Sequence, residues 1–465
     1  MFFKPQHVHF VGIGGIGMSA IAEVLLTLGY EVSGSDLKLS PTTEHLAQMG
    51  ARIHTGHRAQ NVAGAKAVVV TSALDATNPE VAEARRLQIP VIPRGELLAE
   101  LMRLKFGVAI AGSHGKTTTT SMVASVLNAG DMDPTVVVGG KVAAMQGSNA
   151  RVGKSSILVV ESDESDGSFL KLAPIVAVVT NIDREHLDHY PSLDGVRAAF
   201  LDFINKVPFY GAAILCMEDE NVQQIFPRVT RRSVTYGRVA QADLEIEDVA
   251  LGPDAGDFSV RRRSGPLGRF HVGVPGIHNV LNATAAIGVG LEMDVPLARI
   301  REGLAAFSGV DRRFSVRGVV HGVTVIDDYA HHPTEVKATL AAARLSPYSH
   351  IRVLFQPHRF SRTKHLGEEF AAAFLLADDL YLLDIYAASE PALNGVTSPA
   401  LLKKIRAHGH RSAHYVATLE DGIDAIAAAA QPGDVILTLG AGNVSQAAAK
   451  IVEKLRATAP ERRRA

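Results

Sequence analysis

Residues 112–117, GSHGKT, have most of the spacing of a phosphate-binding loop, although Ile110 stands where the full Walker pattern has its first glycine. An apolar run at 106–111 precedes the segment, and apolar residues at helical spacing follow it. In a strand–loop–helix unit, backbone N–H groups and the helix terminus bind an anion, Lys116 reaches the outer phosphates, and the Thr117 hydroxyl can ligate magnesium. The segment therefore predicts a nucleotide phosphate site. The alternative is an ordinary strand-to-helix turn with an exposed lysine.

Acidic residues follow the apolar run ILVV in the same region of the chain. Glu161 is the first carboxylate after this run and opens the segment ESDESD. Carboxylates at a strand end beside a phosphate loop are where the magnesium of a nucleotide is expected, which favours Glu161 as a metal ligand. We expect the other acids of the run, Asp163, Glu164 and Asp166, to lie in a solvated loop.

The segment TNIDREHLDHY follows a second apolar run, VAVV, and contains a histidine that is unusual beside a magnesium site. Magnesium prefers oxygen ligands, whereas imidazole suits zinc or manganese better. A metallohydrolase that uses Asp183, His186 and His189 is therefore an alternative. The phosphate loop argues against it.

Near the amino terminus, residues 12–17 read GIGGIG, the G-x-G-x-x-G pattern, between a predicted strand and a predicted helix. Asp36 closes the next predicted strand, where an acidic residue can meet a ribose hydroxyl. The pattern indicates that a diphosphate can approach backbone amides, which suits a nucleotide sugar as well as NAD. Two alternatives stay open, an NAD-dependent dehydrogenase and glycines that serve only helix–strand packing.

Three further polar clusters lie in the second half of the chain. Asn279 and Asn282 are three residues apart, on one face of a predicted helix start, where they could read a nucleobase; Asn279 could instead cap that helix. The segments DDYAHHPTE and FQPHRFSRT both follow predicted strands. In the second of these, Arg359 and Arg362 suit a carboxylate or phosphate that is bound in a bidentate manner.

The elements that must position these residues form three α/β blocks. The first and third alternate strands with helices, which indicates doubly wound parallel sheets whose polar residues follow the strands. The second begins at the phosphate loop and becomes β-rich between residues 236 and 274. We therefore predict an α/β protein with a Rossmann-like amino-terminal domain, a central P-loop-type ATPase domain with a β-rich part, and a Rossmann-like carboxyl-terminal domain.

Composition excludes several classes of protein. The 465-residue chain is 47% hydrophobic and 20% charged, with a formal net charge of −1, so no nucleic-acid-binding or acidic-membrane surface is indicated. Cys216 is the single cysteine and cannot form an internal disulfide, which fits a reducing compartment. No stretch has the length of a membrane span. We expect a cytoplasmic protein.

The ordered set of motifs resembles the Mur ligase family over essentially the whole chain. Each motif is modest evidence alone, but their order is specific. The motifs are GIGGIGMS, SGSD, GSHGKTTTT, VVESDESD, TNIDREHLDHY, GIHNVLNA, DRRF, DDYAHHPTE and FQPHRFSRT. The shortened phosphate loop is itself a feature of this family.

The resemblance implies three ligand-binding domains: residues 1–104 for a UDP-sugar, 105–312 for ATP and 313–465 for an amino acid. The implied UDP-sugar residues are Gly14, Gly15, Ile16, Gly17, Asp36 and Ser72. The implied ATP residues are Gly112, Ser113, His114, Gly115, Lys116, Thr117, Thr118, Asn279, Asn282, Arg313 and Asp328. The implied magnesium ligands are Thr117, Glu161 and His186. The residues implied to face the amino acid and the muramyl carboxylate are Tyr329, His331, His358, Arg359 and Arg362.

The same resemblance implies an activity, which is ATP-dependent joining of L-alanine to the lactyl carboxylate of UDP-N-acetylmuramate through an acyl phosphate. The implied catalytic residues are Lys116, His186, His331 and Arg359. We expect no nucleic-acid partner, no membrane insertion, and a monomer or weak homodimer. Two alternatives remain, a sister ligase that attaches a whole murein tripeptide and, from the first glycine pattern alone, an NAD-dependent dehydrogenase.

One segment departs from the family pattern. Other members carry a carbamylated lysine shortly after the metal histidine, whereas this chain reads VRAAF at 196–200 and has no lysine there. We therefore predict no carbamate. The sequence leaves open which group supplies the missing negative charge.

Overall fold

The computed structural model describes residues 6–71, 77–138, 150–186 and 189–457. The chain divides into two compact units. Unit 1 comprises residues 1–249, 257–273 and 279–308, and unit 2 comprises residues 250–256, 274–278 and 309–465. None of the helices in the described ranges is long and apolar enough to cross a membrane.

The first sheet of unit 1 has five parallel strands in the order β3-β2-β1-β4-β5. Strand order reverses on either side of β1, so the turn after β1 lies at the switch point where ligands bind in doubly wound sheets. The strands are β1 His7–Val11, β2 Glu31–Asp36, β3 Arg52–Thr55, β4 Ala67–Val70 and β5 Val91–Pro93. The helices are α1 Ile16–Thr27, α2 Pro41–Gln48, α3 Pro79–Arg86 and α4 Arg94–Arg103.

The second sheet of unit 1 has ten strands, in the order β15-β14-β13-β12-β11-β10-β6-β9-β7-β8, and β6 lies between β10 and β9. Its strands are β6 Phe106–Ala111, β7 Thr135–Val137, β8 Ala150–Arg151, β9 Ile157–Glu161, β10 Val176–Val179, β11 Ala212–Cys216, β12 Ser233–Gly237, β13 Leu244–Leu251, β14 Gly256–Arg262 and β15 Gly265–Val272. The helices that follow in the chain are α5 Lys116–Ala129, α6 Leu193–Ile204, α7 Glu220–Ile225, α8 Ile277–Glu292 and α9 Leu297–Ala305.

Strands β6, β9 and β10 are parallel and fully buried along most of their length, so their carboxyl ends meet at one edge. This edge brings together the phosphate loop, the ESDESD segment and the TNIDREH segment. One hydrophobic core runs through the first two sheets and contains Phe10 of β1, Ala109 of β6 and Phe200 of α6. The predicted β-rich part is confirmed by β13–β15.

The sheet of unit 2 has six strands in the order β16-β17-β21-β18-β19-β20, with only β16 antiparallel to its neighbour. The strands are β16 Ser315–Val320, β17 Val323–Asp328, β18 Ile351–Phe355, β19 Asp379–Leu382, β20 Ala413–Tyr415 and β21 Val435–Leu439. The helices are α10 Pro333–Ala343, α11 Phe360–His365, α12 Gly367–Ala371, α13 Ser398–Ala407, α14 Leu419–Ala429 and α15 Ala447–Ala457. Separate apolar clusters cover the sheet. Three α/β sheets confirm the predicted fold class.

Candidate active site

The phosphate loop joins β6 to α5 and has a backbone that only glycine tolerates at two positions. Gly112 and Gly115 have φ angles of 142° and 80°. A Cβ at Gly112 would lie 2.0 Å from Thr180 Oγ1, and one at Gly115 would lie 2.8 Å from Asn282 Oδ1. Thr117 and Thr118 are buried in the first turn of α5. The loop therefore keeps its amides at the start of a 14-residue helix, where they suit an anion.

The residues that follow β10 hold this loop in shape. The His114 N–H donates to Asn181 Oδ1 at 2.8 Å, and the Thr180 hydroxyl donates to the His114 carbonyl at 2.6 Å. The Asp183 N–H donates to Ser113 Oγ at 2.8 Å. The His114 ring also pairs with Asp183 through Nε2 and Oδ2, which are 2.9 Å apart. Because these bonds fix both the loop backbone and its side chains, the loop is preformed.

Lys116 lies in a compact cluster of buried and partly buried charges. Its Nζ is 2.8 Å from Glu164 Oε1, and His186 Nε2 is 3.4 Å from the same oxygen and 3.7 Å from Glu185 Oε2. Burial opposes the positive charge of Lys116, but the carboxylates of Glu164, Glu185 and Glu161 outweigh it and raise the lysine pKa. Burial likewise opposes the charge of His186, and Glu164 and Glu185 outweigh it to raise the histidine pKa.

The predicted metal ligands occupy two neighbouring groups. The Thr117 hydroxyl donates to Glu161 Oε1 at 2.9 Å, at the end of β9. His186 instead lies with Glu164 and Glu185. Each of these three residues offers one ligand atom, and the three atoms are within 4.8 Å of one another. The prediction that Glu164 lies in a solvated loop is wrong, because its side chain is 2% exposed and pairs with Lys116. Asp166 is exposed, as that prediction expected.

The glycine turn after β1 is held by the end of β2. The N–H groups of Gly12 and Ile13 donate to the Ser35 carbonyl, and the Gly14 N–H donates to Asp36 Oδ2 at 2.9 Å. Gly15 is the N-cap of α1, and Ile16 begins that helix. Asp36 therefore orients the turn, a role that the ribose interpretation of this residue did not include.

Gly17 and Ser72 are the two remaining residues predicted for the UDP-sugar site. A Cβ at Gly17 would lie 2.6 Å from Arg94 Nη1, so the absence of a side chain makes room for this guanidinium. Arg94 Nη2 is also 3.3 Å from Asp163 Oδ2. Ser72 lies outside the described residues. Arg94 thus contacts both the glycine turn and the acidic run after β9.

The two asparagines predicted to read a nucleobase lie together within α8. Asn282 donates an amide hydrogen to Asn279 Oδ1 at 3.3 Å, and both residues are buried. Because α8 begins at Ile277, Asn279 lies inside the helix and the alternative of an N-terminal cap is wrong. Asn282 also lies against Gly115 of the phosphate loop, which places this pair next to that loop.

The predicted residues of unit 2 form an aromatic and cationic cluster. The Tyr329 ring lies 5.0 Å from the His331 ring, which lies 5.9 Å from the His358 ring. The guanidinium of Arg313 is 5.1 Å from the Tyr329 ring. Arg362 Nη1 is 3.2 Å from His358 Nδ1. The structure therefore brings together residues from the two motifs after β17 and β18.

Asp328 and Arg359 have special local environments in unit 2. Asp328 is buried and accepts hydrogen bonds from the N–H groups of Phe314 and Ala330; burial raises its pKa, although Arg313 opposes that shift. Arg359 has a φ angle of 70°, an unusual value for a residue other than glycine. Such strained positions are concentrated at functional sites.

The sequence interpretation missed one aromatic residue of this cluster. The Tyr386 ring stacks on that of His358 at 5.6 Å, and its carbonyl accepts from the Arg359 N–H. Tyr386 follows β19, the strand next to β18. Its position after a predicted parallel strand was the one available signal, and only the strand order shows which strands are neighbours.

Comparisons with known proteins cover nearly the whole chain. Three family models match it: "Mur ligase family, catalytic domain" at residues 7–106, "Mur ligase middle domain" at 110–290, and "Mur ligase, glutamate ligase domain" at 312–442. Curated proteins named UDP-N-acetylmuramate–L-alanine ligase are similar to it. The one from Solibacter usitatus is 64% identical over 98% of this chain and 97% of its own length, and the one from Koribacter versatilis is 56% identical over 98% and 99%.

Solved structures agree with these matches. The UDP-N-acetylmuramate-alanine ligase of Thermotoga maritima is 31% identical, with a TM-score of 0.81 over 98% of this chain and all of its own. A murein peptide ligase from Psychrobacter arcticus is 23% identical, with a TM-score of 0.71 over 98% of this chain and 99% of its own. The second likeness shows the shared fold only.

Proposed function

The chain belongs to the Mur ligase family, and from that premise we propose that it joins the amine of L-alanine to the lactyl carboxylate of UDP-N-acetylmuramate while ATP becomes ADP and phosphate. It is an ATP-dependent ligase of peptidoglycan precursor synthesis. The observation that carries the proposal is the preformed phosphate loop with its partly buried lysine, in a chain 64% identical to a ligase of that name over nearly its full length.

The reaction has two steps in this proposal. A carboxylate oxygen of the sugar attacks the γ-phosphorus, and the bond from that phosphorus to the bridging oxygen breaks, which releases ADP and leaves an acyl phosphate. The alanine nitrogen then attacks the acyl carbon, phosphate leaves, and the nitrogen loses a proton. Because phosphoryl transfer depends on positioning and charge neutralisation, the protein needs to supply little covalent chemistry.

Unit 1 provides the groups for the first step. The loop amides and the Lys116 ammonium bind the phosphates, and Asn279 and Asn282 contact the adenine. The glycine turn after β1 and Asp36 bind the UDP part of the sugar. These roles agree with the position of both glycine-containing turns at helix starts and with the position of the lysine among carboxylates.

Magnesium is part of the proposal, because the oxygen atoms beside the loop fit it. Thr117 at the start of α5 and Glu161 at the end of β9 supply oxygen ligands, and the buried Glu164 Oε2 has no hydrogen-bond partner within the described residues. Hard oxygen donors are those that magnesium prefers. These residues would hold the ion, which would neutralise charge on the phosphate oxygens, and His186 lies at the edge of this oxygen set.

We assign the amino-acid and carboxylate-binding roles to the cluster in unit 2. Arg359 and Arg362 suit a carboxylate, Tyr329 and His358 flank it, and His331 takes the proton from the amine. His331 Nδ1 is 2.9 Å from the Tyr329 carbonyl and 3.4 Å from Glu335 Oε2, so its ring is held in one orientation. Arg313 and Asp328 are assigned to ATP. A cytoplasmic monomer or weak homodimer completes the proposal.

Phosphate release tests the substrate assignment directly. Purified protein with ATP, magnesium and UDP-N-acetylmuramate should release phosphate when L-alanine is added, and the product mass should equal the sum of sugar and alanine minus water. The murein tripeptide and NAD serve as comparisons in parallel reactions. Faster phosphate release with the tripeptide would favour the sister ligase, and NAD binding without any phosphate release would favour the dehydrogenase.

A further inference from the structure

Glu164 is a buried carboxylate whose position is fixed by its backbone. Its carbonyl accepts hydrogen bonds from the Tyr190 hydroxyl at 2.8 Å and from the Gly167 N–H at 3.0 Å. The residue is 1% exposed, and its side chain points to Lys116 and His186. A carboxylate buried in this way must be balanced by positive charge, because desolvation of an isolated charge is costly.

The two oxygens of this carboxylate have different surroundings. Oε1 is 2.8 Å from Lys116 Nζ and 3.4 Å from His186 Nε2. Oε2 is buried and has no hydrogen-bond partner among the residues that the structure describes. A buried oxygen of this kind is satisfied when a cation or a proton donor enters the site. Glu164, Glu185 and His186 place one ligand atom each within 4.8 Å of one another.

The three hydrogens of the Lys116 ammonium all have acceptors in this structure. Nζ donates to the Gly112 carbonyl at 2.6 Å, to the Ser113 carbonyl at 3.1 Å and to Glu164 at 2.8 Å. An ammonium group has three donors and no more. A phosphate oxygen can therefore reach this lysine only when one of the three bonds is broken. Glu164 is the acceptor that does not belong to the loop itself.

We propose that Glu164 exchanges one cation for another: it holds Lys116 while no nucleotide is bound, and it turns to the divalent ion that accompanies ATP when the lysine moves to the phosphates. This inference rests on the proposed function and extends it to a residue outside the predicted ligand set. The exchange keeps the buried carboxylate paired in both states. It also makes metal and phosphate binding at the loop depend on each other.

The exchange predicts opposite effects of one substitution under two conditions. Glu164→Gln keeps the side-chain shape but removes the charge. Without divalent ions, in EDTA, the variant should bind ATP about tenfold more tightly than the native protein, because the lysine is released and one repulsive charge is gone. With Mn²⁺, the improvement in ATP affinity that the ion gives should be about tenfold smaller than in the native protein. Electron paramagnetic resonance should show correspondingly weaker Mn²⁺ binding.

Asp166→Asn is the matched control, because Asp166 belongs to the same acidic run but is exposed. It should match the native protein in both titrations. UDP-N-acetylmuramate binding checks that each variant is folded, and Glu164→Asp, which keeps the charge, replaces Glu164→Gln in the same two titrations if the latter does not fold. With Asp the ion should keep most of its effect on ATP affinity.

Two results with Glu164→Gln would overturn the exchange: equal weakening of ATP binding in EDTA and in Mn²⁺, which indicates a structural role, and no change of ATP binding in either condition. A third contradicting result is that Glu164→Asp loses the effect of Mn²⁺ on ATP affinity as completely as a variant without the charge would. Native protein that binds ATP and releases phosphate with L-alanine retains the proposed function in all three cases. Native protein that binds no ATP would overturn the proposed function and the exchange together.

Discussion

The glycine turn after β1 and the phosphate loop after β6 have similar backbone arrangements but differ in the charged side chains around them. Each connects a buried parallel strand to a helix, and each is held by backbone and side-chain groups at the end of a neighbouring strand. Beside the phosphate loop lies Lys116, whose pKa is raised by the carboxylates of Glu164, Glu185 and Glu161. Around the turn, Asp36 accepts from a backbone N–H and Arg94 packs against Gly17.

We expect this difference to separate binding from chemistry. A turn that offers backbone amides can hold a diphosphate in one place without changing its reactivity. A loop with an ammonium group and oxygen ligands can also stabilise charge that moves during phosphoryl transfer. We therefore expect the glycine turn to bind phosphate without changing its reactivity, and the charged residues beside the phosphate loop to let the phosphate react.

Removal of the Lys116 charge should have the largest effect on activity. It should affect the phosphate loop but not the glycine turn after β1. Lys116→Ala should lower the rate of phosphate release by about a thousandfold or more, because the transferred phosphoryl group loses its nearest fixed positive charge. UDP-N-acetylmuramate affinity, measured by calorimetry, should stay within about twofold of native. Lys154→Ala, at an exposed lysine of the same unit, is the control. Turnover near the native rate would refute the role of Lys116.

A methyl group in the phosphate loop should have the next largest effect. Gly112→Ala places Cβ 2.0 Å from Thr180 Oγ1 at a φ of 142°, so the loop must move and ATP affinity should fall about a hundredfold. Gly50→Ala is the matched control, because Gly50 also has a positive φ of 107° but nothing within 4 Å of the new Cβ. If both variants lose ATP affinity equally, backbone strain and not the contact with Thr180 explains the loss.

Much of the fold was predictable because the sequence repeats the pattern of a buried strand followed by polar or glycine residues. Apolar runs such as VAVV can bury both faces only in a covered parallel sheet, and this constraint identified three α/β blocks. The division into two compact units was not predictable from such local patterns. It depends on the core shared by Phe10, Ala109 and Phe200, which are far apart in the chain.

The residues of the candidate site were predictable where a motif contains a single residue suited to a role. They were less predictable in the acidic run after β9, where several carboxylates suit the same role. Glu161, Asp163, Glu164 and Asp166 look alike in sequence. Their difference comes from the chain path after β9, where the Glu164 carbonyl is anchored by Tyr190 and Gly167 and its side chain turns inward. Glu164 also places a buried carboxylate beside His186, with 3.4 Å between Oε1 and Nε2, in a chain that has no lysine at 196–200.

Loss of the Asp36 carboxylate should affect the glycine turn after β1, and its effect should be smaller than those of the two substitutions at the phosphate loop. Asp36→Ala removes the acceptor of the Gly14 N–H, so the turn loses a charge-assisted hydrogen bond and the KM for UDP-N-acetylmuramate should rise about tenfold with kcat little changed. Asp36→Asn keeps an acceptor and should cost about twofold. A fall in kcat at unchanged KM would mean that the turn takes part in the chemistry.

The smallest expected effect concerns the contact between the two regions. Arg94 packs against Gly17 and pairs with Asp163 Oδ2 at 3.3 Å, but the two side chains are 25% and 46% exposed, so solvent screens the pair. In a double-mutant cycle of Arg94→Ala and Asp163→Asn, the coupling between UDP-sugar and ATP affinity should change by no more than about twofold. A change of tenfold or more would show that the acidic run transmits occupancy of the turn to the loop. The separation of binding from chemistry would then be incomplete, because the glycine turn would act on phosphoryl transfer through Arg94 and Asp163.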